Sequence, residues 1–368
     1  MKRIILYGGA FDPIHNGHIR IAEAASSFLK ADVVFIPTKK PRWKEANATD
    51  EDRVNMLKIA LEEAKNPAFS YSLCEMEREG ETTYSCDTVA YFKEKYPDST
   101  LFFLIGGDQV SRFDQWKNPD FIASNCQIYY VGREGYIDQK GNKERFHMLP
   151  LPFIKAGIVS STGIRNLTYI DAPVRVLDYI QEHRLYYIRK LESYLSSRRL
   201  SHSFSVARLS YRIALENGLE EPGKAYVAGA LHDIGKEYPK EKADIIMREN
   251  YPSYMDVPGF CVHQWVGAYL AEREFHIEDP VILDAIAYHC SGKADMSPFG
   301  KIIYAADKID PSRGWPSEKY IRLCLKDYDK GFQTVLSANR EFLTEKGKGD
   351  PESILLTKQC FDCYLGGK

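Results

Sequence analysis

Residues 8–18 read Gly8-Gly9-Ala10-Phe11-Asp12-Pro13-Ile14-His15-Asn16-Gly17-His18 and directly follow an apolar run at 4–7 that predicts a buried strand. The two glycines permit a tight turn and a close approach of the backbone to a ligand. His15 and His18 lie where a helix is expected to begin, and the amino end of a helix attracts anions. A strand, a glycine turn and a helix start in this order predict a phosphate-binding site.

The first half of the chain alternates strand-like and helix-like segments. Short apolar runs lie at 4–7, 33–36, 101–105 and 128–131, and helical patterns follow several of them. This alternation predicts a Rossmann-like α/β domain over residues 1–188, with a parallel sheet covered by helices on both faces. Ligands of such sheets gather at the carboxyl ends of the strands, where Gly8-Gly9 and Gly106-Gly107-Asp108 both follow a predicted strand.

The second half of the chain has a different pattern. Strand-like runs become scarce, and apolar residues recur at helical spacing around 203–216, 225–231, 262–272, 281–288 and 319–336. These patterns predict an all-α domain over residues 195–368, joined to the first by the charged, serine-rich stretch 190–199. A chain of 368 residues is long enough for two such domains.

The amino-acid composition of the chain limits the kinds of molecule that it is expected to bind. The 49 basic and 51 acidic side chains leave a net charge of -2, so there is no general attraction to nucleic acid or to an anionic membrane. No apolar stretch approaches the ~20 residues of a membrane span, and no signal peptide is evident. Eight cysteines without a framework of spacings favour reduced thiols and a cytoplasmic location. Cys360 and Cys363 lack the further ligands of a zinc site and are interpreted as ordinary thiols. Assembly into a homo-oligomer stays open.

The two histidines of the opening motif suggest a kind of catalysis. His15 and His18 are three residues apart, so at a helix start they can address one phosphate group. If the substrate supplies its own nucleophile, the protein needs only to position the reactants and to stabilise charge on the phosphoryl oxygens. Asp12 is expected to orient the turn or to cap the helix.

Several stretches resemble a known family. His15-Asn16-Gly17-His18 resembles the H-x-G-H signature of the nucleotidyltransferase superfamily. Ser160-Ser161-Thr162-Gly163-Ile164-Arg165 is similar to the S-S-T-x-I-R motif of bacterial nicotinate-nucleotide adenylyltransferases, in which a helix start and an arginine hold ATP phosphates. Thr83-Tyr84-Ser85-Cys86-Asp87-Thr88 is similar to the segment of that family that recognises the pyridine ring. The resemblance covers roughly the first half of the chain.

This resemblance implies a reaction and a set of residues. The reaction is adenylyl transfer from Mg-ATP to nicotinate mononucleotide, which yields deamido-NAD and pyrophosphate in NAD biosynthesis, with His15 and His18 as the catalytic pair. The implied ATP-binding residues are Gly8, Gly9, Phe11, His15, His18, Lys44, Gly106, Asp108, Ser160, Ser161, Thr162, Ile164 and Arg165. The implied acceptor-binding residues are Thr83, Tyr84, Ser85, Asp87, Trp116 and Arg133.

Alternatives remain for this first half. The sequence departs from the family pattern at Arg42-Trp43, Gly107 and Gln109, so nicotinamide mononucleotide and phosphopantetheine stay open as acceptors. Ser160 to Arg165 also suits an ordinary helix cap, and Lys44 also suits a solvated loop. The H-x-G-H signature occurs in class I aminoacyl-tRNA synthetases too, but the chain has no K-M-S-K-S-like loop and no surplus of basic residues.

Side chains that can ligate metal recur in the second half, at His202, His232-Asp233, His263, His289 and Asp307. An adjacent His-Asp pair joined by a distant His and Asp can enclose a cation with mixed nitrogen and oxygen ligands, and two more histidines can hold a second ion. Metals of this kind lower the pKa of water and polarise a phosphoryl group. The pattern therefore predicts a metal-dependent hydrolase of phosphate compounds.

Leu231-His232-Asp233-Ile234-Gly235-Lys236 resembles the signature of the HD phosphohydrolase superfamily, and the whole pattern resembles the bacterial HD family that hydrolyses diadenosine tetraphosphate to two ADP. The resemblance implies one metal held by His202, His232, Asp233 and Asp307. It implies a second completed by His263 and His289, with Asp233 bridging as the central catalytic residue. Lys236 and Arg313 would contact phosphate.

The identity of the metal pair and the role of this domain have alternatives. Iron is expected, with manganese, cobalt and zinc as other metals that suit nitrogen and oxygen ligands. The rival functions are a phosphohydrolase of other nucleotides and a non-catalytic module that senses nucleotides and regulates the first domain.

Overall fold

The computed structural model describes residues 2–39, 46–80, 83–132, 141–152, 159–313, 317–345 and 354–366. The chain forms two compact units, Met1–Thr162 with Ala172–His183 and Gly163–Asp171 with Arg184–Lys368. A parallel sheet with helices is followed by an all-helical region, which confirms the predicted fold classes. In the part of the chain that the structure describes, no helix is long and apolar enough to cross a membrane.

A parallel sheet forms the centre of the first unit. Its strands are β1 (Arg3–Gly9), β2 (Asp32–Pro37), β3 (Phe69–Tyr71), β4 (Thr100–Gly106), β5 (Gln127–Val131) and β6 (Leu149–Pro150), in the spatial order β3-β2-β1-β4-β5-β6. The four predicted apolar runs lie within β1, β2, β4 and β5. The edge strands β3 and β6 were not predicted, because 3 and 2 residues are too few to show an alternating pattern.

Helices connect and cover these strands. They are α1 (Asn16–Leu29), α2 (Asp50–Ala64), α3 (Ser85–Lys95), α4 (Gly107–Val110), α5 (Pro119–Asn125), α6 (Asn142–Arg145), α7 (Ser161–Arg165) and α8 (Val174–Glu182). Right-handed crossovers place α1 and α2 on one face of the sheet and α3 and α5 on the other. Buried side chains of β1 and β4, such as Leu6 and Phe103, pack with Val89 and Phe92 of α3.

The strand order creates a switch point between β1 and β4. From β1 the chain moves outward to β2 and β3, and it then returns to the other side of β1 to form β4. Tyr7 pairs with Leu104, so the segments after β1 and β4 leave the same edge of the sheet. A crevice outside the carboxyl ends of the strands is the ligand site of such sheets.

Arg53 of α2 fixes the two loops that leave β1 and β2. Its side chain is fully buried, and its guanidinium donates to the carbonyl oxygens of Ala10 at 2.5 Å and Thr38 at 2.7 Å. Asp50 lies 2.6 Å from Nη2 and balances the charge. This one side chain therefore satisfies backbone groups on both sides of the β1 end.

The second unit consists of helices among its described residues. They are α9 (Ile188–Leu191), α10 (Ser197–Glu216), α11 (Gly223–Leu231), α12 (Lys240–Asn250), α13 (Val262–Phe275), α14 (Pro280–Ala287), α15 (Pro298–Ile309), α16 (Glu318–Lys326), α17 (Tyr328–Glu345) and α18 (Leu355–Phe361). The helical patterns at 203–216, 225–231, 262–272 and 281–288 correspond to α10, α11, α13 and α14. A shared core joins α10 to α15 and α17, with Ile213, Ile302 and Val335 among its members.

The helical pattern at 319–336 corresponds to two helices. The chain breaks at Asp327 into α16 and α17, and Asn217 satisfies the backbone at the break. The Asn217 amide donates to the Cys324 carbonyl at 3.0 Å and accepts from the Tyr328 N–H at 3.0 Å. Both helices bury apolar residues in one core, so the helical spacing of apolar residues continues from α16 into α17. The break between the two helices is stabilised by Asn217, which is distant in the sequence.

Replacement of Arg53 by methionine is expected to destabilise the first unit. The change leaves the carbonyls of Ala10 and Thr38 buried without donors, so the free energy of unfolding should fall by about 2–4 kcal/mol. Urea unfolding measures this difference. The control is Arg175→Met, because that arginine is 55% exposed and its change should cost less than ~0.5 kcal/mol. Equal losses in the two variants would show that Arg53 does not fix the loops.

Candidate active sites

The opening motif places two imidazoles together at the start of α1. His15 precedes the first residue of α1, and its ring stacks on that of His18 with centroids 3.7 Å apart. The His15 backbone N–H donates to Nδ1 of His18 at 3.3 Å. The Phe11 ring, only 2% exposed, lies 5.2 Å from the His18 ring and packs against its edge. Phe11 therefore supports His18 through a buried side chain.

Asp12 orients a neighbouring loop. Its carboxylate accepts the backbone N–H of Asn47 at 2.8 Å and that of Ala48 at 3.2 Å. The side chain is buried, with 4% of the residue exposed. These bonds tie the opening motif to the segment before α2, in line with the orienting role expected from the sequence.

The serine-rich motif lies beside the opening motif. The Ser161 hydroxyl donates to the Pro13 carbonyl at 2.9 Å. A Cβ at Gly17 would lie 2.6 Å from a methyl carbon of Val159, so the glycine of H-x-G-H is needed for this approach. Ser160 and Ser161 therefore lie near the two histidines. The same helix, α7, carries buried Ile164 and ends at Arg165.

The turn after β4 brings a carboxylate to the same sheet edge. Gly107 begins the short helix α4, and Asp108 folds back over the strand end, because a Cβ at Gly106 would lie 2.5 Å from its Oδ1. The other carboxylate oxygen accepts from the Gln109 amide at 2.8 Å. A Cβ at Gly8 would meet no other heavy atom within 4 Å, so the space beside this residue is open to a ligand.

Glu75 holds the segment expected to bind the acceptor. Its buried carboxylate accepts from the hydroxyls of Thr83 at 3.0 Å and Thr88 at 2.7 Å. Burial raises the pKa of Glu75, although the two hydroxyls oppose that shift. Tyr84 then precedes the first residue of α3, Ser85. Glu75 was not identified from the sequence, since nothing local distinguishes it from neighbouring Glu77 and Glu79.

Lys117, the residue after Trp116, contacts two of the expected acceptor-binding residues. Lys117 lies 4.2 Å above the Tyr84 ring, and its Nζ is 3.8 Å from Asp87. The adjacent Trp116 packs against Phe113 with ring centroids 5.0 Å apart. The expected acceptor residues of α3 thus share a neighbourhood with Trp116.

Three expected site residues have no described side chain. Lys44 and Arg133 lie outside the described residues, as do Arg42 and Trp43. Arg313 belongs to the short helical turn Pro311–Arg313, whose backbone alone is described at that residue.

The second unit gathers the six expected metal ligands from five helices. His202 lies in α10, His263 begins the first turn of α13 and Asp307 lies in the last turn of α15. His232-Asp233 directly follows α11, and His289 follows α14. The ligand atoms form two groups that share Asp233, His202-His232-Asp233 and Asp233-His263-His289, each within 4.8 Å.

Three of the histidines are oriented by backbone carbonyls close to them in the sequence. Nδ1 of His232, His263 and His289 lies within hydrogen-bond distance of the carbonyl three residues earlier. The acceptors are Gly229 at 2.7 Å, Phe260 at 2.8 Å and Ile286 at 2.8 Å. Because a carbonyl only accepts, each Nδ1 carries the proton and each Nε2 presents a lone pair. This is the arrangement of histidines that bind metal through Nε2.

The lone pairs converge in a way that fits a cation. Nε2 of His263 and Nε2 of His289 lie 3.1 Å apart, although each presents a lone pair. Nε2 of His232 is buried without a hydrogen-bond partner among the described residues. Burial and the nearby Lys236 lower the pKa of His263 to about 4, and burial lowers that of His289 well below its ordinary value. Neutral imidazoles that present an Nε2 lone pair are what a divalent metal requires.

Asp233 lies between the two groups of ligands. Its Oδ1 is 3.4 Å from Nε2 of His263, 3.8 Å from that of His289 and 3.9 Å from that of His232. Burial raises the pKa of Asp233, but the surrounding histidines outweigh it and hold the pKa below its ordinary value. The ionised carboxylate can therefore bridge two cations. Asp307 completes the first group, with Oδ1 3.1 Å from Nε2 of His202.

Sequence reasoning missed Asp310, which orients His202. The carboxylate is fully buried and accepts from Nδ1 of His202 at 2.6 Å, and it also accepts from the hydroxyls of Ser205 and Ser312. Burial raises the pKa of Asp310, but these hydrogen bonds outweigh it and lower the pKa to about 2. The sequence feature that could have identified Asp310 is its position one helical turn after Asp307.

Lysines surround the same cluster. The Nζ of Lys236 lies 3.3 Å from Nε2 of His263. Lys308, which the sequence did not single out, donates to the His289 carbonyl at 2.9 Å and lies 3.4 Å from Asp307. The turn that carries Lys236 approaches α13 closely, since a Cβ at Gly235 would overlap the His263 carbonyl. The site thus combines metal ligands with cations suited to phosphate.

Comparison with known proteins gives the same division of the chain. Residues 6–167 match the cytidylyltransferase-like family and residues 199–312 match the HD domain. A Bacillus subtilis protein named nicotinate-nucleotide adenylyltransferase is 36% identical over 50% of this chain and 99% of its own length. A Clostridium acetobutylicum structure, described as an HD superfamily hydrolase involved in NAD metabolism, covers 49% of this chain and 95% of its own at 26% identity and a TM-score of 0.43.

Two relatives from Mycoplasma species span both units. A Mycoplasma genitalium protein named probable nicotinate-nucleotide adenylyltransferase/Ap4A hydrolase is 32% identical over 85% of this chain and 88% of its own length. A Mycoplasma pneumoniae protein with the same name is 30% identical over 90% of this chain and 97% of its own. This chain therefore belongs to the family of fused nicotinate-nucleotide adenylyltransferase/Ap4A hydrolase proteins.

Proposed function

We propose that this protein is a bifunctional nucleotide enzyme. Its first unit transfers the adenylyl group of ATP to nicotinate mononucleotide, and its second unit hydrolyses diadenosine tetraphosphate to two ADP. The single observation that carries the second activity is the convergence of Nε2 lone pairs of three histidines around Asp233. The first is supported by the stacked pair His15 and His18 beside Ser161 at the switch point of the sheet.

The first reaction needs no nucleophile from the protein. A phosphate oxygen of the acceptor attacks the α-phosphorus of Mg-ATP, the bond from that phosphorus to the bridging oxygen breaks, and pyrophosphate leaves with the electron pair. His15 and His18 stabilise the charge that builds on the phosphoryl oxygens, and Ser160 to Arg165 bind the leaving phosphates. The names of the relatives support nicotinate mononucleotide over the other acceptors.

The second reaction uses a pair of divalent metals. His202, His232, Asp233 and Asp307 would hold one ion, and His263 and His289 with Asp233 would hold the other. Bound there, the pair supplies Lewis acidity toward a phosphoryl oxygen and acidifies water. Lys236 and Arg313 would bind phosphate oxygens of the substrate. Iron is the metal proposed, and analysis of the purified protein distinguishes it from manganese, cobalt and zinc.

The partners proposed are therefore small nucleotides, with no nucleic acid or membrane among them. A cytoplasmic location remains the expectation from the sequence, in keeping with eight cysteines that are all free thiols.

Two variants are expected to separate the activities. Asp233→Ala should abolish the formation of ADP from diadenosine tetraphosphate and leave synthesis of the dinucleotide unchanged, because the shared metal ligand is lost. His18→Ala should lower synthesis from ATP and nicotinate mononucleotide by about 100-fold or more and leave hydrolysis unchanged. Chromatography of the products measures both reactions in each variant.

The control is His147→Asn, an exposed histidine outside both motifs whose positive φ asparagine tolerates. It should leave both reactions intact. The assignment of the hydrolase site fails if Asp233→Ala still yields ADP. Absence of dinucleotide from nicotinate mononucleotide, with product from the amide mononucleotide or phosphopantetheine, would replace the proposed acceptor.

Asp310→Asn is expected to weaken metal binding. Loss of the charge behind His202 should lower the metal affinity of the first group by about 10–100-fold. Metal content after dialysis against a chelator gives the readout without reference to activity. Asp329→Asn is the matched control, because that aspartate is 40% exposed and pairs with Lys301 instead. Equal metal retention in both variants would contradict the role given to Asp310.

A further inference from the structure

Arg199 is a cation of the second site that neither the motifs nor the metal ligands include. It lies one turn before His202 on α10. Its Nη1 is 3.2 Å from Oδ2 of Asp233, and its Nε is 3.1 Å from Oε1 of Glu237. The side chain remains 34% exposed, so part of the guanidinium faces solvent at the edge of the cluster.

Glu237 holds this arginine in a defined orientation. Its carboxylate accepts the backbone N–H of Ser196 at 2.6 Å and the Ser196 hydroxyl at 2.9 Å. These bonds anchor Glu237 to the amino end of α10. Because Glu237 engages Nε, the terminal nitrogens of Arg199 are directed toward Asp233 and the solvent beside it.

The charges around Asp233 argue against a purely structural ion pair. Oδ1 of Asp233 lies 3.4 to 3.9 Å from Nε2 of three histidines, and Asp233 is the ligand shared by both candidate metal groups. With divalent ions bound to that carboxylate, a guanidinium 3.2 Å away would be in a strongly positive environment that an anion must balance. Arginine presents a fork of donors that matches phosphate oxygens, and two carboxylate contacts use only part of its five N–H groups.

We propose that Arg199 binds the phosphate chain of the substrate at the second site, with Glu237 as its positioning residue. This inference rests on the proposed hydrolase function and deepens it. The ligand chemistry is a polyphosphate that carries a negative charge on each phosphate next to the cleaved bond. Arg199 reaches the cluster at Oδ2 of Asp233, and Lys236 reaches it at the His263 ring.

The chain offers a matched control in the neighbouring residue. Arg198 has the same side chain on the same helix but is exposed. Metal-loaded Arg199→Ala should raise KM for diadenosine tetraphosphate by at least about tenfold, with metal content unchanged. Arg199→Lys should recover part of that loss, because it restores the charge but not the fork. Arg198→Ala should behave as the unchanged protein.

Glu237→Gln gives a second test of the arrangement. It keeps one acceptor oxygen, replaces the other with an amide donor and removes the charge that aligns Arg199, so KM should rise by less than in Arg199→Ala and kcat should change little. An unchanged KM in Arg199→Ala overturns the proposal. Loss of metal from that variant at unchanged KM also overturns it, since Arg199 would then only support Asp233.

A binding measurement separates this inference from the proposed function. Calorimetry with inorganic tripolyphosphate compares the metal-loaded protein with its Arg199→Ala and Arg198→Ala variants. If diadenosine tetraphosphate is not hydrolysed but tripolyphosphate binding still falls about tenfold in Arg199→Ala alone, the phosphate site stands and the proposed substrate is wrong. Equal binding by all three proteins removes the phosphate site.

Discussion

A hydrogen bond from Nδ1 to the backbone carbonyl three residues earlier sets the geometry of the histidine cluster in the second unit. It fixes the ring orientation and the tautomer of His232, His263 and His289 at once. The remaining lone pairs then meet around Asp233, where no donor among the described residues satisfies Nε2 of His232. A protein interior tolerates such an arrangement when a cation resolves it. The geometry of these side chains therefore suits a bound cation.

The first unit depends on a different constraint, the meeting of loops at one edge of a parallel sheet. β1 and β4 are neighbours in the sheet, although β2 and β3 lie between them in the sequence. Segments that are distant in the sequence therefore leave the sheet at the same edge. Side chains then complete the approach. Gly17 leaves room for Val159, Ser161 bonds to Pro13, and Asp12 holds the loop before α2. Gly17, Ser161 and Asp12 therefore each have a structural role that explains why that residue type is present.

The features that depend on short-range sequence patterns could be predicted from the sequence. Apolar runs located β1, β2, β4 and β5, and motif spacing located both groups of candidate site residues. Long-range contacts could not be inferred in this way. Asn217 stabilises the break between α16 and α17 from a hundred residues away, and nothing near 327 reveals it. Arg198 and Arg199 are likewise identical in local pattern, and only the fold shows which one faces Asp233.

The two proposed reactions pose a problem of discrimination, because the first makes a phosphoanhydride between nucleotides and the second cleaves one. A site that hydrolyses any such bond would destroy the dinucleotide formed by the first unit. In that dinucleotide each phosphorus of the bridge is attached directly to a nucleoside, whereas the central bond of a tetraphosphate has a further phosphate on either side. Cations placed around the metal centre, Lys236 at His263 and Arg199 at Asp233, can bind those flanking phosphates. The diphosphate bridge of the dinucleotide lacks the flanking phosphates that Lys236 and Arg199 would bind. These two cations would therefore favour the tetraphosphate as substrate, and no separate pocket for its bases would be needed.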